Sequence, residues 1–363
     1  MHIGLFNLMS LRDRSKPPRE VYLETVEQVR LAEQMNFDAA WFAEHHFSNY
    51  CVCPSPVSMA MYVAPQTKTI RLGPAVVVVP LHHPLRMLED LAVLDSVSDG
   101  RLVIGLGSGY QKYEFHKFGV DLHDSRAIFL ETLDVVERYF KGDPLSYDGR
   151  FIKIPETSFS VRTIQPRPEV FIAGLLTDSV TQQRVVKAGY TPFFTAGWQR
   201  LDELRLLRDK VAAFHSAGSG SGCAPFALQQ YLFVTDDLDE ARRAAECARY
   251  VRRVALSMRN DYARVDGWFL REQPIPDEPS VDEILDRLVI GDAEKCAERL
   301  IKEFEQLQPS HVCFFMALPG MPHKSVLRSM ERFGSDVLPR IERHFGTLRQ
   351  IGNSDRQPAV AAG

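Results

Sequence analysis

The 363-residue sequence has no apolar run long enough to span a bilayer; the longest, 75–80, is strand-sized. It has no basic stripe either. The net charge is −4, with acids and bases spread along the chain, which excludes the electrostatic footprint of a nucleic-acid binder. Cysteine is scarce. The six, at 51, 53, 223, 247, 296 and 313, include no CxxC pair, and Cys51 and Cys53 are too close for an ordinary structural disulfide. No Cys/His spacing suits zinc, and the adjacent His82 and His83 would face apart. Buried, reduced thiols without a metal are therefore expected, in a cytoplasmic protein. The opening Met-His-Ile-Gly-Leu-Phe lacks the charged and apolar regions of a signal peptide and reads as a strand. No repeat of 20–50 residues is present.

What remains is an average globular composition, 45% apolar and 25% charged. The length suits one α/β barrel with insertions, or two ordinary domains. Strand-like runs occur at 2–7, 37–43, 70–79, 102–106, 170–173, 191–195, 226–234 and 311–317. Helical periodicity separates them. Phe129, Leu133, Val136 and Phe140 recur on one face, as do Ala297, Leu300, Ile301 and Phe304 after the N-cap candidate Asp292. Tyr22, Val26 and Val29 mark the first helix, and Pro84 and Pro322 suit first-turn positions. Eight strands alternating with helices predict a closed (β/α)8 TIM barrel rather than an open doubly wound sheet.

Three stretches exceed a minimal barrel and predict loop insertions: 143–168, with a hairpin near Asp148-Gly149; 216–225, Gly/Ser-rich; and 250–280, whose end carries three prolines. One domain over 1–351 is expected, with 352–363 a disordered tail.

Glu44-His45-His46-Phe47 follows the second strand. Barrels place their chemistry at such strand ends, and histidine exchanges protons near neutral pH. Glu44 beside His45 and His46 therefore reads as a working site; the alternative is that a histidine only satisfies a loop carbonyl. Gly105-Leu106-Gly107-Ser108-Gly109-Tyr110 ends the fourth strand. It is a weak dinucleotide fingerprint, so its glycines either admit a planar ligand or pack a barrel corner. Ala173-Gly174-Leu175-Leu176-Thr177-Asp178-Ser179 leads into a helix whose N-terminus either binds phosphate or is capped by Thr177 or Asp178. Arg126, early in a helix, serves either a ligand anion or a surface ion pair.

Together these features resemble the bacterial luciferase-like flavin monooxygenases. The motifs fall in order: Glu44 to Phe47, Gly73-Pro74-Ala75-Val76 with Pro80 and His83-Pro84, Glu89-Asp90, Leu94-Asp95, Asp99-Gly100-Arg101, Gly105 to Phe115, and Ser125-Arg126-Ala127. The resemblance implies a barrel binding reduced FMN (FMNH2) at the C-terminal ends of its strands. It implies a reaction with O2 through a C4a-hydroperoxide that oxygenates a small organic substrate. His45 would be the catalytic histidine, with Glu44 beside it. A non-proline cis peptide near Ala75-Val76 would lie against the ring, with Thr195 nearby. Arg126, Gly174, Leu175, Leu176 and Ser179 would hold the phosphate. Gly107 stands where luciferases carry a reactive cysteine, and Ser108 where they carry a phosphate-contacting arginine, so the thiol and one phosphate contact are missing.

No nicotinamide site is visible, so the resemblance implies a separate flavin reductase, and a homodimer. Two rival readings share the fold: hydride transfer with the deazaflavin F420, and a non-catalytic partner subunit. Phe115, Phe118, Trp198 and Trp268 either line an apolar pocket or pack the core.

Overall fold

A computed structural model describes residues 1–174, 179–219, 225–260 and 263–352. Leu175, Leu176, Thr177, Asp178 and Cys223 lie outside the described residues, as does the expected tail beyond Gly352.

The strands are β1 (His2–Asn7), β2 (Ala39–Phe42), β3 (Arg71–Pro74), β4 (Val77–Val78), β5 (Ile104–Gly107), β6 (Leu145–Asp148), β7 (Lys153–Thr157), β8 (Val170–Ala173), β9 (Thr191–Thr195), β10 (Ala227–Val234), β11 (Val265–Asp266), β12 (Phe269–Leu270), β13 (Val289–Gly291) and β14 (His311–Phe315). The order β3-β2-β1-β14-β10-β9-β8-β5-β4 is parallel throughout, and β13 adds to β10. β3 and β4 are two parts of the predicted strand 70–79, divided at Ala75-Val76, so the path returns to its start. Leu72 crosses the join: its N–H donates to the Arg101 carbonyl at 2.9 Å and its own carbonyl accepts from the Val103 N–H at 3.1 Å. The result is a nearly closed barrel of nine parallel strands, as the alternating pattern predicted. The hairpin expected near Asp148-Gly149 is β6–β7.

Burial on both faces explains why the strands read as apolar runs; all eight residues of β10 are buried. Inside, Trp41 of β2 meets Phe171 of β8 edge-on at 4.8 Å and Phe193 of β9 at 5.6 Å. Glycine supplies the room: a Cβ on Gly4 would lie 2.9 Å from Trp41 Nε1. At the join, a Cβ on Gly73 would stand 2.1 Å from the Val103 carbonyl oxygen, and one on Gly105 2.3 Å from that of Pro74. The barrel closes there through touching backbones.

Outside, the predicted helical faces are buried. Phe129, Leu133 and Val136 lie on the helix Ser125–Lys141, and Ala297, Leu300 and Phe304 on Ala293–Leu307. Asp292 caps the latter by accepting from the Lys295 N–H at 2.8 Å. Pro84 begins its helix as expected, whereas Pro322 is itself the N-cap of His323–Arg332. Among the described residues no helix is long and apolar enough to cross a membrane. The five described cysteines are free and buried; burial pushes the Cys53 and Cys296 thiols up to about 12, which makes them inert.

At the N-terminal end of the barrel, Asp38 accepts from the Ile3 N–H at 2.8 Å and from Arg349 at 2.7 Å, with His2 Nδ1 3.1 Å away. Burial alone would raise its pKa, but these donors prevail and hold it at about 2, against an ordinary 3.8. A depressed carboxyl stabilises the fold above its unfolded value and loses that contribution as pH falls towards its folded value. Asp38→Asn is therefore expected to cost about 2 kcal/mol at pH 7. In urea unfolding, the gap from the parent should narrow as pH drops below 4; a gap constant down to pH 3 would deny the linkage.

β10 outruns the barrel. Ala227–Tyr231 pairs with β14, and Leu232–Val234 with β13. The helix Leu238–Arg259 then comes back over the open C-terminal end, the first half of its buried face made mostly of alanine, Ala241, Ala244, Ala245 and Ala248.

Candidate active site

A cavity of about 720 Å³ lies at the C-terminal ends of the strands, within the size range of small-ligand sites. β2 delivers Ala43, Glu44 and His45; the β3–β4 division delivers Ala75 and Val76; β5 ends at Gly107. β8 ends at Ala173 with Gly174 next, and Thr195 ends β9. Gln229 and Tyr231, two apart on β10, face the same space. The helix Leu238–Arg259 roofs it with Val251, Arg252, Ala255, Leu256 and Arg259.

The two histidines belong to different carboxylates. His45 Nδ1–H donates to Glu114 Oε1 at 3.0 Å, and the His46 backbone N–H donates to the same oxygen at 2.8 Å. Glu114, on the helix Lys112–Phe118, is buried and also lines the cavity. With Nδ1 engaged by an acceptor, Nε2 is the ring nitrogen left for a ligand. The His45 ring is flanked by Tyr50 at 4.7 Å and Tyr110 at 5.9 Å.

Glu44 turns the other way. Its carboxylate accepts from His46 Nε2 at 2.9 Å, His82 Nε2 at 2.7 Å and the Val78 N–H at 3.0 Å. Burial pushes this carboxyl up, and the bonds from His46 and His82 outweigh it, leaving it below its ordinary value. Burial likewise pushes His82 down, and Glu44 more than restores it, so His82 sits above its usual range. Glu44 thus ties the strand end of β2 to β4. His83 is exposed.

The Ala75–Val76 peptide is cis. Val76 fills the space a side chain would need at Gly107, where a Cβ would lie 2.7 Å from Val76 Cγ2. Gly105 is packing, whereas Gly107 keeps a flat apolar wall.

The sequence model of the luciferase-like monooxygenases matches residues 1–311. The chain belongs to this family. It is 36% identical over 350 residues to the protein y4vJ of Sinorhizobium fredii, spanning 95% of this chain and 99% of that one. It is 25% identical to the oxygenase component of the flavin-dependent trigonelline monooxygenase of Acinetobacter baylyi, over 97% of this chain and 100% of the relative. Among solved structures, monooxygenase RslO1 of Streptomyces bottropensis superposes with a TM-score of 0.80 at 21% identity, covering 93% and 99% of the two chains. The oxygenating constituent of 3,6-diketocamphane monooxygenase of Pseudomonas putida, solved with FMN, gives 0.76 at 18%, covering 94% and 98%. The F420-dependent tetrahydromethanopterin reductase of Methanopyrus kandleri gives 0.67 at 17%, covering 94% and 99%. These structures establish the shared fold.

Of the residues that the luciferase-like pattern singled out, Glu44, His45, Ala75, Val76, Gly107, Gly174 and Thr195 meet around this one cavity. Arg126 and Ser179 are exposed at the starts of their helices and are not among its lining residues. Leu175 and Leu176 lie outside the described residues. None of Phe115, Phe118, Trp198 and Trp268 lines the cavity: Phe115 is core, and Phe118 and Trp268 are 42% exposed. The aromatic lining comes instead from residues such as Tyr50, Tyr110 and Tyr231. Sequence reading also missed Glu114, whose only signal is an acid set among aromatics in Tyr113-Glu114-Phe115, and the arginines of the roof.

Proposed function

We propose that the protein is the oxygenase component of a two-component monooxygenase. It takes reduced FMN from a separate reductase and places one oxygen atom of O2 into a small organic substrate; the other atom leaves as water, and the flavin leaves oxidised. The observation that carries this reading is the pairing of His45 with buried Glu114 on the cavity wall, together with the flat apolar wall of Ala75, Val76 and Gly107. The description of the Acinetobacter relative as an oxygenase component supports the reductase partner.

The residues fit a planar cofactor. A side chain at Gly107 would collide with Val76, so the glycine lets the two pack together as one wall, against which an isoalloxazine ring would lie. When bound, reduced FMN supplies the electrons for oxygen activation. Glu114 holds His45 in one tautomer, with Nε2 free to hold or pass a proton at the reacting end. The helix Leu238–Arg259 keeps bulk water from that end. Glu44 sets the position of His46 and of the Val78 backbone next to that wall. Arg126, Gly174, Leu175, Leu176 and Ser179 are proposed to hold the phosphate.

The test mixes anaerobic protein and reduced FMN with oxygenated buffer in a stopped-flow spectrometer. The expected result is a lag before the absorbance of oxidised FMN returns, absent without protein. Return at the rate of free flavin would reject the proposal and favour hydride transfer with F420, the activity of the Methanopyrus structure.

A further inference from the structure

The roof helix carries six arginines that interact outside its own backbone, and they divide by face. Arg242 pairs with Asp282 at 3.0 Å, Arg249 with Glu246, and Arg253 with Glu272 and Glu278, each at 2.8 Å. Arg243 donates to the Gly320 carbonyl at 2.9 Å. Arg252 and Arg259, one face and two turns apart, are the pair that lines the cavity. Neither has a carboxylate partner among the described residues. Arg252 lies over the Trp198 ring and Arg259 over the Tyr110 ring, each at 5.8 Å.

Other donors line the cavity, and Gln111 beside Tyr110 offers both an unmatched donor and an unmatched acceptor. Gln229 is 4% exposed, lines the cavity, and its Nε2 has no hydrogen-bond partner. Two residues on, burial pushes the Tyr231 phenol up, so it stays a protonated donor. The acids that line the cavity, Glu44 and Glu114, are committed to histidines and backbone N–H groups. Two unmatched guanidiniums, an unmatched buried amide and a neutral phenol are complementary to a ligand that only accepts and carries negative charge.

We infer that Arg252 and Arg259, with Gln229, select a substrate bearing a carboxylate and hold that carboxylate under the roof of the cavity. This rests on the oxygenase reading, to which it adds the substrate class. The same chemistry would suit the phosphate of the flavin. Its location favours the substrate: Arg259 lies over the Tyr110 ring, which packs against His45, so the guanidinium stands on the side of the cavity where His45 is proposed to act.

The experiment measures binding without turnover, so it stands or falls independently of the oxygen chemistry. Ligand-observed NMR titrations compare benzoate with benzamide and hexanoate with hexanamide on the whole protein. At least one carboxylate is expected to bind about tenfold or more tightly than its amide. In the double variant Arg252→Gln, Arg259→Gln that preference should vanish with amide binding unchanged, whereas Arg249→Gln should keep it. Circular dichroism confirms the fold of each variant. The proposal is overturned if no carboxylate binds up to millimolar concentration, or if carboxylate and amide bind alike. It also falls if the preference survives the double variant, or if that variant loses affinity for FMN while keeping it for riboflavin, which would assign the guanidiniums to the cofactor.

Discussion

His45→Ala is expected to shorten the lag in flavin reoxidation to that of free FMN and to lower coupled oxygenation by about 10²–10⁴-fold, the usual worth of a positioned acid–base group. The fold should persist, because His45 sits beyond the end of β2 and contributes no side chain to the barrel interior. Glu114→Gln gives a sharper diagnosis. The glutamine can still accept from His45 Nδ1 and from the His46 N–H, so the ring stays in place but loses its charged partner. Activity should fall less than in His45→Ala, because the hydrogen bond to the ring survives and only the negative charge behind it is lost. A lag unchanged in His45→Ala would remove the histidine from the mechanism. Undiminished oxygenation in Glu114→Gln would reduce Glu114 to a packing role.

Gly73→Ala should be the most damaging single methyl group in the molecule. Its Cβ would be driven to 2.1 Å from the Val103 carbonyl oxygen and 2.7 Å from Val103 Cγ2. The obstacle is backbone on the neighbouring strand and cannot rotate away, so β3 and β5 must part. A loss on the order of 3 kcal/mol is expected, since overpacking that moves backbone is the expensive kind. Gly119→Asn is the matched control. That glycine caps a helix at φ +70° with nothing within 4 Å of its Cβ position, and asparagine tolerates the conformation. Urea denaturation of both reads the contrast; similar midpoints would show that the seam is softer than its packing implies.

The barrel was legible because its strands are buried on both faces, and apolar runs with helical stretches between them leave few other folds. What could not be read was where the third run breaks. Residues 72–79 are apolar throughout, and their division at Ala75-Val76 depends on a peptide geometry that composition does not encode; only the resemblance pointed to it. His45 was legible from its place after β2. Its partner was not, because Glu114 is 69 residues away and looks in sequence like any acid on a short helix. The placement of Glu44 against His46 and His82 shows why proximity in sequence misleads: the turn after β2 sends neighbouring side chains to opposite sides. The aromatic residues failed as pocket predictors for a related reason. Trp268 and Phe118 sit on elements whose docking onto the barrel is a tertiary matter, whereas Tyr50 and Tyr231 are carried into the mouth by the chain path itself.

The rear wall of the cavity is also the joint of the barrel: Ala75 and Val76 lie between β3 and β4, and Gly107 ends the strand that β4 pairs with. Tailoring that wall to a new ligand therefore puts the closure of the scaffold at risk, and mutations there are screened first for folding and only afterwards for chemistry. The opposite wall carries no such burden. Arg252 and Arg259 project from a helix inserted between β10 and β13, and their guanidiniums meet loop rings, Trp198 and Tyr110, and no barrel strand. Change in what the site accepts is consequently channelled into residues 235–288. Divergence between relatives should accumulate in that segment, and a library built to alter specificity is best confined to it.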